Sequence, residues 1–391
     1  MISQQPAPRN RVLWLLMVFA TAATLGLPFI TLAPNRLVSG SPIMLLSLAG
    51  HLTWLGVPVL GLFCLAFMAT RKLTLVLTLA GWQLLFCGLL WGLGVVATGQ
   101  MAHSEPLARV SVGSGLWILL ICCLLGATDA INRFTRQPVW RVLLTMQIAV
   151  LPLWMLMAGH FSATSLMREY HNRADIFHDA LLRHLWFLPG TLLPGLLIAL
   201  PLGWLCHCAP RVRRSVFPVL NIIQTIPSVA LFGLLIAPLS GLVSAFPVLG
   251  RWGVSGIGIT PALIALVLYA LMPLVRGVVA GLASVPPAVK ESAKGMGMSG
   301  IQLAWQVEIP LALPVLLRSL RVVAVQTVGM GVVAALIGAG GFGSLVFQGL
   351  LSSALDLVVL GVIPVVALAV IIDGGFTLLL ALLKEKTGDR I

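Results

Sequence analysis

The chain has 391 residues, of which 59% are hydrophobic and only 9% charged, with a formal net charge of +13. Soluble domains carry about 25% charged residues, so the composition excludes an ordinary soluble protein. The basic residues lie in short loops between apolar runs rather than on one soluble face, which excludes a nucleic-acid partner and fits the positive-inside bias of membrane proteins.

The amino terminus, MISQQPAPRNR, runs straight into an apolar stretch of span length without a small-residue cleavage pattern, so it reads as a retained first helix. Apolar runs near the roughly 20 residues needed to cross a bilayer then recur along the chain. In lipid every backbone polar group must be satisfied within its own segment, so these runs are predicted to be helices. The alternating pattern of an outer-membrane barrel is absent. Ten spans are predicted, at about 12–33, 50–70, 73–98, 107–128, 140–158, 187–207, 216–238, 258–281, 317–338 and 357–383. The fold class is an all-α polytopic membrane protein.

If Arg9 and Arg11 are cytoplasmic, then Arg71 and Lys72, Arg133 and Arg136, Arg211, Arg213 and Arg214, and the tail LKEKTGDR are cytoplasmic too. All five lysines fall on that side, which places both termini in the cytoplasm. The loops 34–49, 99–106, 159–186, 239–257 and 339–356 face outward and hold Arg36, Arg168, Arg173, Arg183 and Arg251 with five acids. Loop 159–186 carries His160, His171, His178 and His184, but Leu166, Tyr170, Ala174, Phe177 and Leu181 recur at helical spacing. That pattern describes an amphipathic surface helix better than a metal site. It also divides the chain into an N-terminal membrane extension, 1–179, and a second membrane domain, 180–384, followed by the tail 385–391. Five of the six cysteines sit inside apolar runs or at their edges, as small packing residues do. Cys206-His207-Cys208 is too closely spaced for a zinc site, so no metal is expected.

No GxxxxGK[ST] occurs, and no Gly-Lys pair at all, so no P-loop is present. Gly338, Gly340 and Gly343 form a GxGxxG that follows an apolar helix rather than a strand. They are expected to end a span and let backbones approach closely. No HExxH, GxSxG or membrane-depth carboxylate pair is found, so no enzyme is read here.

The most informative segment is the polar island ESAKGMGMSGIQLAWQVEIP, Glu291 to Pro310. Pro286-Pro287 stop the preceding span. Ala288 to Lys294 predicts a short helix with Glu291 near its first turn, where the helix dipole favours a carboxylate. Gly295, Gly297 and Gly300 end that helix, and Ile301 to Val307 predicts a second. Pro310 and Pro314 then restart the chain before the next span. On these grounds alone the segment is either an ordinary surface loop or a socket for a partner.

The segment resembles the EAA loop of ABC-importer permeases, written EAA, three residues, G, nine residues, I-x-L-P. Glu291, Ala293 and Gly297 match, Ser292 replaces an alanine, and Val307-x-Ile309-Pro310 closes the pattern. The similarity extends over IIQTIPSVALFGLLIAPLSGL at 222–242, over 256–299 and over 310–343, and covers about residues 185–384. It is closest to the quaternary-amine branch (glycine betaine, choline, carnitine). The first 180 residues match no general family pattern.

The resemblance implies a MetI-like permease fold for the C-terminal five helices, with a coupling loop at 285–314. Glu291, Ser292, Ala293, Gly297, Ile309 and Pro310 would couple to a separate ATPase subunit that binds ATP, so no cofactor is expected in this chain. It further implies a second permease subunit in a homo- or heterodimer, an extracytoplasmic substrate-binding protein, and placement in a bacterial cytoplasmic membrane.

Polar or helix-loosening residues at membrane depth give a candidate translocation path: Gln224, Thr225, Pro227 and Ser228, and Gln326, Thr327, Gly329 and Met330. Interhelical hydrogen bonding explains the same residues equally well. An aromatic cage would suit a quaternary ammonium, but the tyrosines are only Tyr170 and Tyr269 and the eleven tryptophans are scattered. Selection is therefore expected mainly from the binding protein. Asp373 lies deep in the last span and wants a partner, for which Arg321 is a candidate. Two rivals stay open: a permease of another importer branch, such as methionine, and an ion-coupled secondary transporter.

Overall fold

The computed structural model describes residues 10–387 apart from 36, 37 and 39. Arg9, Arg36 and residues 388–391 of the tail lie outside the described residues, as do the side chains of Lys384 and Lys386. The chain divides into two units, Met1–Asn172 and Arg173–Ile391. Among the described residues, eight helices are long and apolar enough to cross a membrane, three in the first unit and five in the second.

The first unit opens with α1, Arg11–Gly26, whose Asn10 cap accepts a hydrogen bond from the Leu13 N–H at 3.1 Å. The run 12–33 was expected as one span, but the helix ends at Gly26. Pro28 has no N–H to continue the ladder, and the β-favouring Phe29, Ile30 and Thr31 follow. They form β1, Pro28–Ala33, the central strand of a small antiparallel sheet with β2, Ser41–Met44, and β3, Arg109–Val112. Thr31 lies opposite Pro42 on one side and Ser111 on the other. This sheet is an addition to the all-helical expectation.

The second predicted span, 50–70, is also shorter, reduced to α2, Gly56–Phe67, behind short helical turns. These two elements account for the difference between ten expected spans and eight. α3, Lys72–Ala102, α4, Ser114–Phe134, and α5, Pro138–Met157, follow, then the short α6, Ser165–Asn172. Trp82 of α3 fits only because residue 126 of α4 lacks a side chain, since a Cβ there would lie 2.2 Å from the indole.

The second unit holds α7, Ala174–Cys208; α8, Pro210–Thr225; α9, Ser228–Ala245; α10, Ile259–Ala283; α11, Pro287–Gly295; α12, Gly300–Ile337; α13, Phe342–Leu351; and α14, Leu355–Thr387. α10 is the central element, packed against α7, α8, α9 and α12, while α14 packs on α12 and α13. The predicted span 216–238 is not continuous: Ile226-Pro227 separates α8 from α9, with Ile226 extended (φ −69°, ψ 127°). α12 begins well before the predicted 317 because the polar island feeds directly into it. Gly338, Gly340 and Gly341 all have φ near +80° and turn the chain from α12 into α13. A Cβ on Gly343 would strike the Val332 carbonyl oxygen at 1.9 Å, so the glycines serve a turn and a close approach.

Candidate coupling element and helix break

The polar island folds as two helices around one tight corner. α11 starts at Pro287, one residue earlier than predicted, so Glu291 lies past the first turn and the helix dipole is not what places it there. Glu291 and Ser292 are exposed, and Ala293 is buried. The end of α11 is a Schellman motif: the Met298 N–H bonds the Ala293 carbonyl at 3.2 Å and the Gly297 N–H bonds the Lys294 carbonyl at 2.9 Å. Gly297 has φ +83°, and of the three glycines predicted to end this helix it alone is left-handed.

A capping box begins α12. The Ser299 N–H donates to Gln302 Oε1 at 2.9 Å, and the Gln302 N–H donates to Ser299 Oγ at 3.3 Å. Residues Ala304–Glu308 form a π-turn, after which the helix runs on. Pro310 therefore does not restart the chain as expected. It sits in the first regular turn beyond the π-turn, where a missing N–H is tolerated. Ile309 is half-buried and Pro310 exposed.

A contact not anticipated in the sequence holds the corner rigid. Lys290 Nζ reaches Glu308 at 2.7 Å and also donates to the Leu282 carbonyl at 3.3 Å. One ammonium thus ties α11 to the end of α10 and to the start of α12. A cation at the C-terminus of α10 also meets the negative end of its dipole. Met296, Ile301 and Trp305 stand exposed around the corner. Beside them an apolar cleft of about 710 Å³ runs between α7, α10 and α12, lined by Trp204, Gly277, Leu282, Trp305 and Ile309 among others. The arrangement is a stiff, mostly polar knuckle with a few apolar tips.

The candidate path residues divide unevenly. Gln224, Thr225 and Pro227 are exposed at the break between α8 and α9, with Ser228 half-buried. Gln224 Nε2 donates to the Tyr269 carbonyl at 3.0 Å, and the Tyr269 hydroxyl donates to the Ile226 carbonyl. Thr225 Oγ1 returns to the Ile222 carbonyl at 2.7 Å. Because Tyr269 lies near the middle of α10, the break lies at membrane depth. Irregular backbone at that depth occurs only against protein or a water-filled cavity, so the exposed side of the break is not a lipid face.

On α12, Thr327 is buried and its hydroxyl returns to the Val323 carbonyl at 2.8 Å, so it packs rather than lines a path in this conformation. Gln326 Nε2 contacts Met330 Sδ at 3.4 Å, and Gly329 is exposed. Met330 and Ile226 pack against one cluster that includes Phe232, Leu266 and Tyr269, which brings the two groups of path candidates together.

Arg321 and Asp373 do pair, in a bidentate contact of 2.5 and 2.6 Å, each more than three turns from either end of its helix. The four histidines have separate partners. His160 stacks on Trp91 at 4.2 Å, His171 Nδ1 contacts the Met167 carbonyl, His178 meets the Phe177 ring edge-on at 6.1 Å, and His184 is fully buried with Nε2 on the Val328 carbonyl at 3.0 Å.

Residues 8–167 match the family described as ABC transporter permease YehY, N-terminal domain. Residues 195–384 match the binding-protein-dependent transport system inner membrane component. The osmoprotectant import permease protein OsmW of Salmonella typhimurium is 36% identical over 191 residues, 49% of this chain and 84% of its own. The carnitine transport permease protein OpuCB of Listeria monocytogenes is 35% identical, over 49% of this chain and 80% of its own. A solved chain of the MetNI methionine ABC transporter in an inward-facing form is 21% identical, with a TM-score of 0.49, over 55% of this chain and 98% of its own. The family match at 195–384 and the 35–36% identity to OsmW and OpuCB over more than two thirds of their length show that the chain belongs to the permeases of binding-protein-dependent ABC importers, in the branch of the osmoprotectant-system relatives.

Proposed function

We propose that this chain is the membrane-spanning permease of an importer for glycine betaine or a related quaternary ammonium osmoprotectant, driven by a separate ATPase. The observation that carries the reading is the knuckle at 287–310, where exposed Glu291 and Ser292 sit on a short helix pinned at both ends by a Schellman turn and by Lys290. A transport cycle needs a contact whose free energy differs between two conformations. A rigid knuckle is suited to deliver it, because displacement at its tip is transmitted rather than absorbed. Glu291, Ser292, Ala293, Gly297, Ile309 and Pro310 form the ATPase-facing element in this reading, and ATP stays in the partner.

A second permease subunit completes the pore, an extracytoplasmic binding protein delivers substrate, and both termini are cytoplasmic by the lysine and arginine distribution. The break lines the path through Thr225, Pro227 and Ser228, with the Gln224 amide spent on the Tyr269 carbonyl, while selection rests with the binding protein. The unit before Arg173 is an N-terminal membrane extension.

The test is reconstitution of the chain with its ATPase and binding protein in proteoliposomes, followed by uptake of labelled glycine betaine, choline and methionine. ATP-dependent uptake of a quaternary amine supports the reading. Uptake of methionine alone would move the chain to the other importer branch, and ATP-independent uptake driven by an ion gradient would end the ABC reading.

A further inference from the structure

We infer that Tyr269 and Gln224 act as a clasp that positions the helix break and carries displacement of the coupling element to it; this rests on the coupling role proposed for residues 287–310. Both bonds of the clasp serve carbonyls that their own helices leave short of a donor. The Tyr269 carbonyl would accept from residue 273, but Pro273 has no N–H, and Gln224 Nε2 takes that place at 3.0 Å. The Ile226 carbonyl lies at the break, where Pro227 forces the preceding residue into an extended conformation outside both helices, and the Tyr269 hydroxyl donates to it.

Two proline-made defects, 46 positions apart, thus satisfy each other reciprocally. The Tyr269 ring is buried in the cluster with Leu231 and Phe232 of α9, so the contact is held by packing as well. α10 runs unbroken from Tyr269 to Ala283 and then through residues 284–286 into α11, with Lys290 fastened back onto the Leu282 carbonyl. A shift of α11 therefore moves α10, and the clasp moves the break that exposes Thr225 and Pro227. Tyr269 and Gln224 are positioning residues here.

Near-isosteric variants, Tyr269→Phe and Gln224→Met, each delete one bond and preserve the packing. Each would be reconstituted in the full complex, with uptake and binding-protein-stimulated ATP hydrolysis read from the same vesicles. The expected result is hydrolysis close to that of the parent with transport per ATP reduced by about fivefold or more. The double variant should transport no less than the worse single one, because both bonds belong to one device. Parent-like transport per ATP in both variants overturns the clasp. So does a parallel fall of uptake and hydrolysis, which would mark a merely structural role. Glu291→Arg serves as the separate control. If it also transports normally, the coupling reading has failed and the clasp falls with it; if it is inactive while both clasp variants work, the clasp alone has failed.

Discussion

The corner at 287–310 and the break at 224–228 both interrupt apolar helices, yet they are stabilised over different ranges. At the corner the Schellman bonds and the capping box link residues three to five positions apart. At the break the bonds reach across 43 and 45 positions to α10. The corner is therefore shaped largely by its own sequence, whereas the break exists as a defined geometry only once α10 has packed beside it. A local device is suited to a surface that must present one shape to a partner. A long-range device suits a place whose position must follow another helix.

The comparison predicts that long-range bonds cost more to lose than local ones, and four variants grade it. Arg321→Leu should have the largest effect, because it leaves Asp373 without its partner inside a span. A loss of up to about 3 kcal/mol is expected, the low end for a broken buried pair since both side chains are partly exposed. Thermal unfolding in detergent measures it, and the joint replacement Arg321→Leu with Asp373→Leu should recover part of the loss. Lys290→Met comes next, at about 1.5–3 kcal/mol for a charge-assisted bond, read as faster proteolysis at the 287–310 corner.

Gly297→Val forces a β-branched residue to φ +83°, which costs about 1–2 kcal/mol. The Cβ would meet no atom within 4 Å, so backbone strain alone accounts for this figure. Membrane insertion should persist while stimulated ATP hydrolysis and uptake are lost. Ser299→Ala removes one cap and should cost about 1 kcal/mol, visible as a small fall in unfolding temperature with transport retained. If the two local variants destabilise the chain more than Arg321→Leu and Lys290→Met, the contrast between long-range and local bonds is wrong.

The same contrast explains what could be read in advance. The helices of the second unit follow from apolar run length, and the corner follows from Pro286-Pro287, the glycines and the Glu291-to-Pro310 spacing, all of which act locally. The Asp373–Arg321 pair was accessible because a lone acid at membrane depth demands a cation and few are available. The Lys290–Glu308 tie was not, although both charges were in view, because nothing in a linear pattern says that α12 returns to α10. Gln224 was noticed as a polar residue in an apolar run, but the defect it satisfies is created by Pro273, far along the chain. In the first unit, length and hydropathy overstated helix: residues 28–33 are as apolar as a span, and their turn to a strand depends on Pro28 and on pairing with residues 41–44 and 109–112. Thr327 was read as polar at depth and proves to spend its hydroxyl on its own helix.

The central claim is that the exposed tip of α11 is the seat of the ATPase. Its most direct test is cross-linking in native membranes, with Ser292→Cys in this chain and single cysteines placed around the cleft of the partner ATPase. The account predicts an adduct of the two subunits from Ser292→Cys, with a yield that changes when ATP is bound, and none from Trp252→Cys in the loop predicted to face outward. An assembled, transport-competent complex that gives no Ser292 adduct at any ATPase position, or gives one from Trp252→Cys instead, would contradict it.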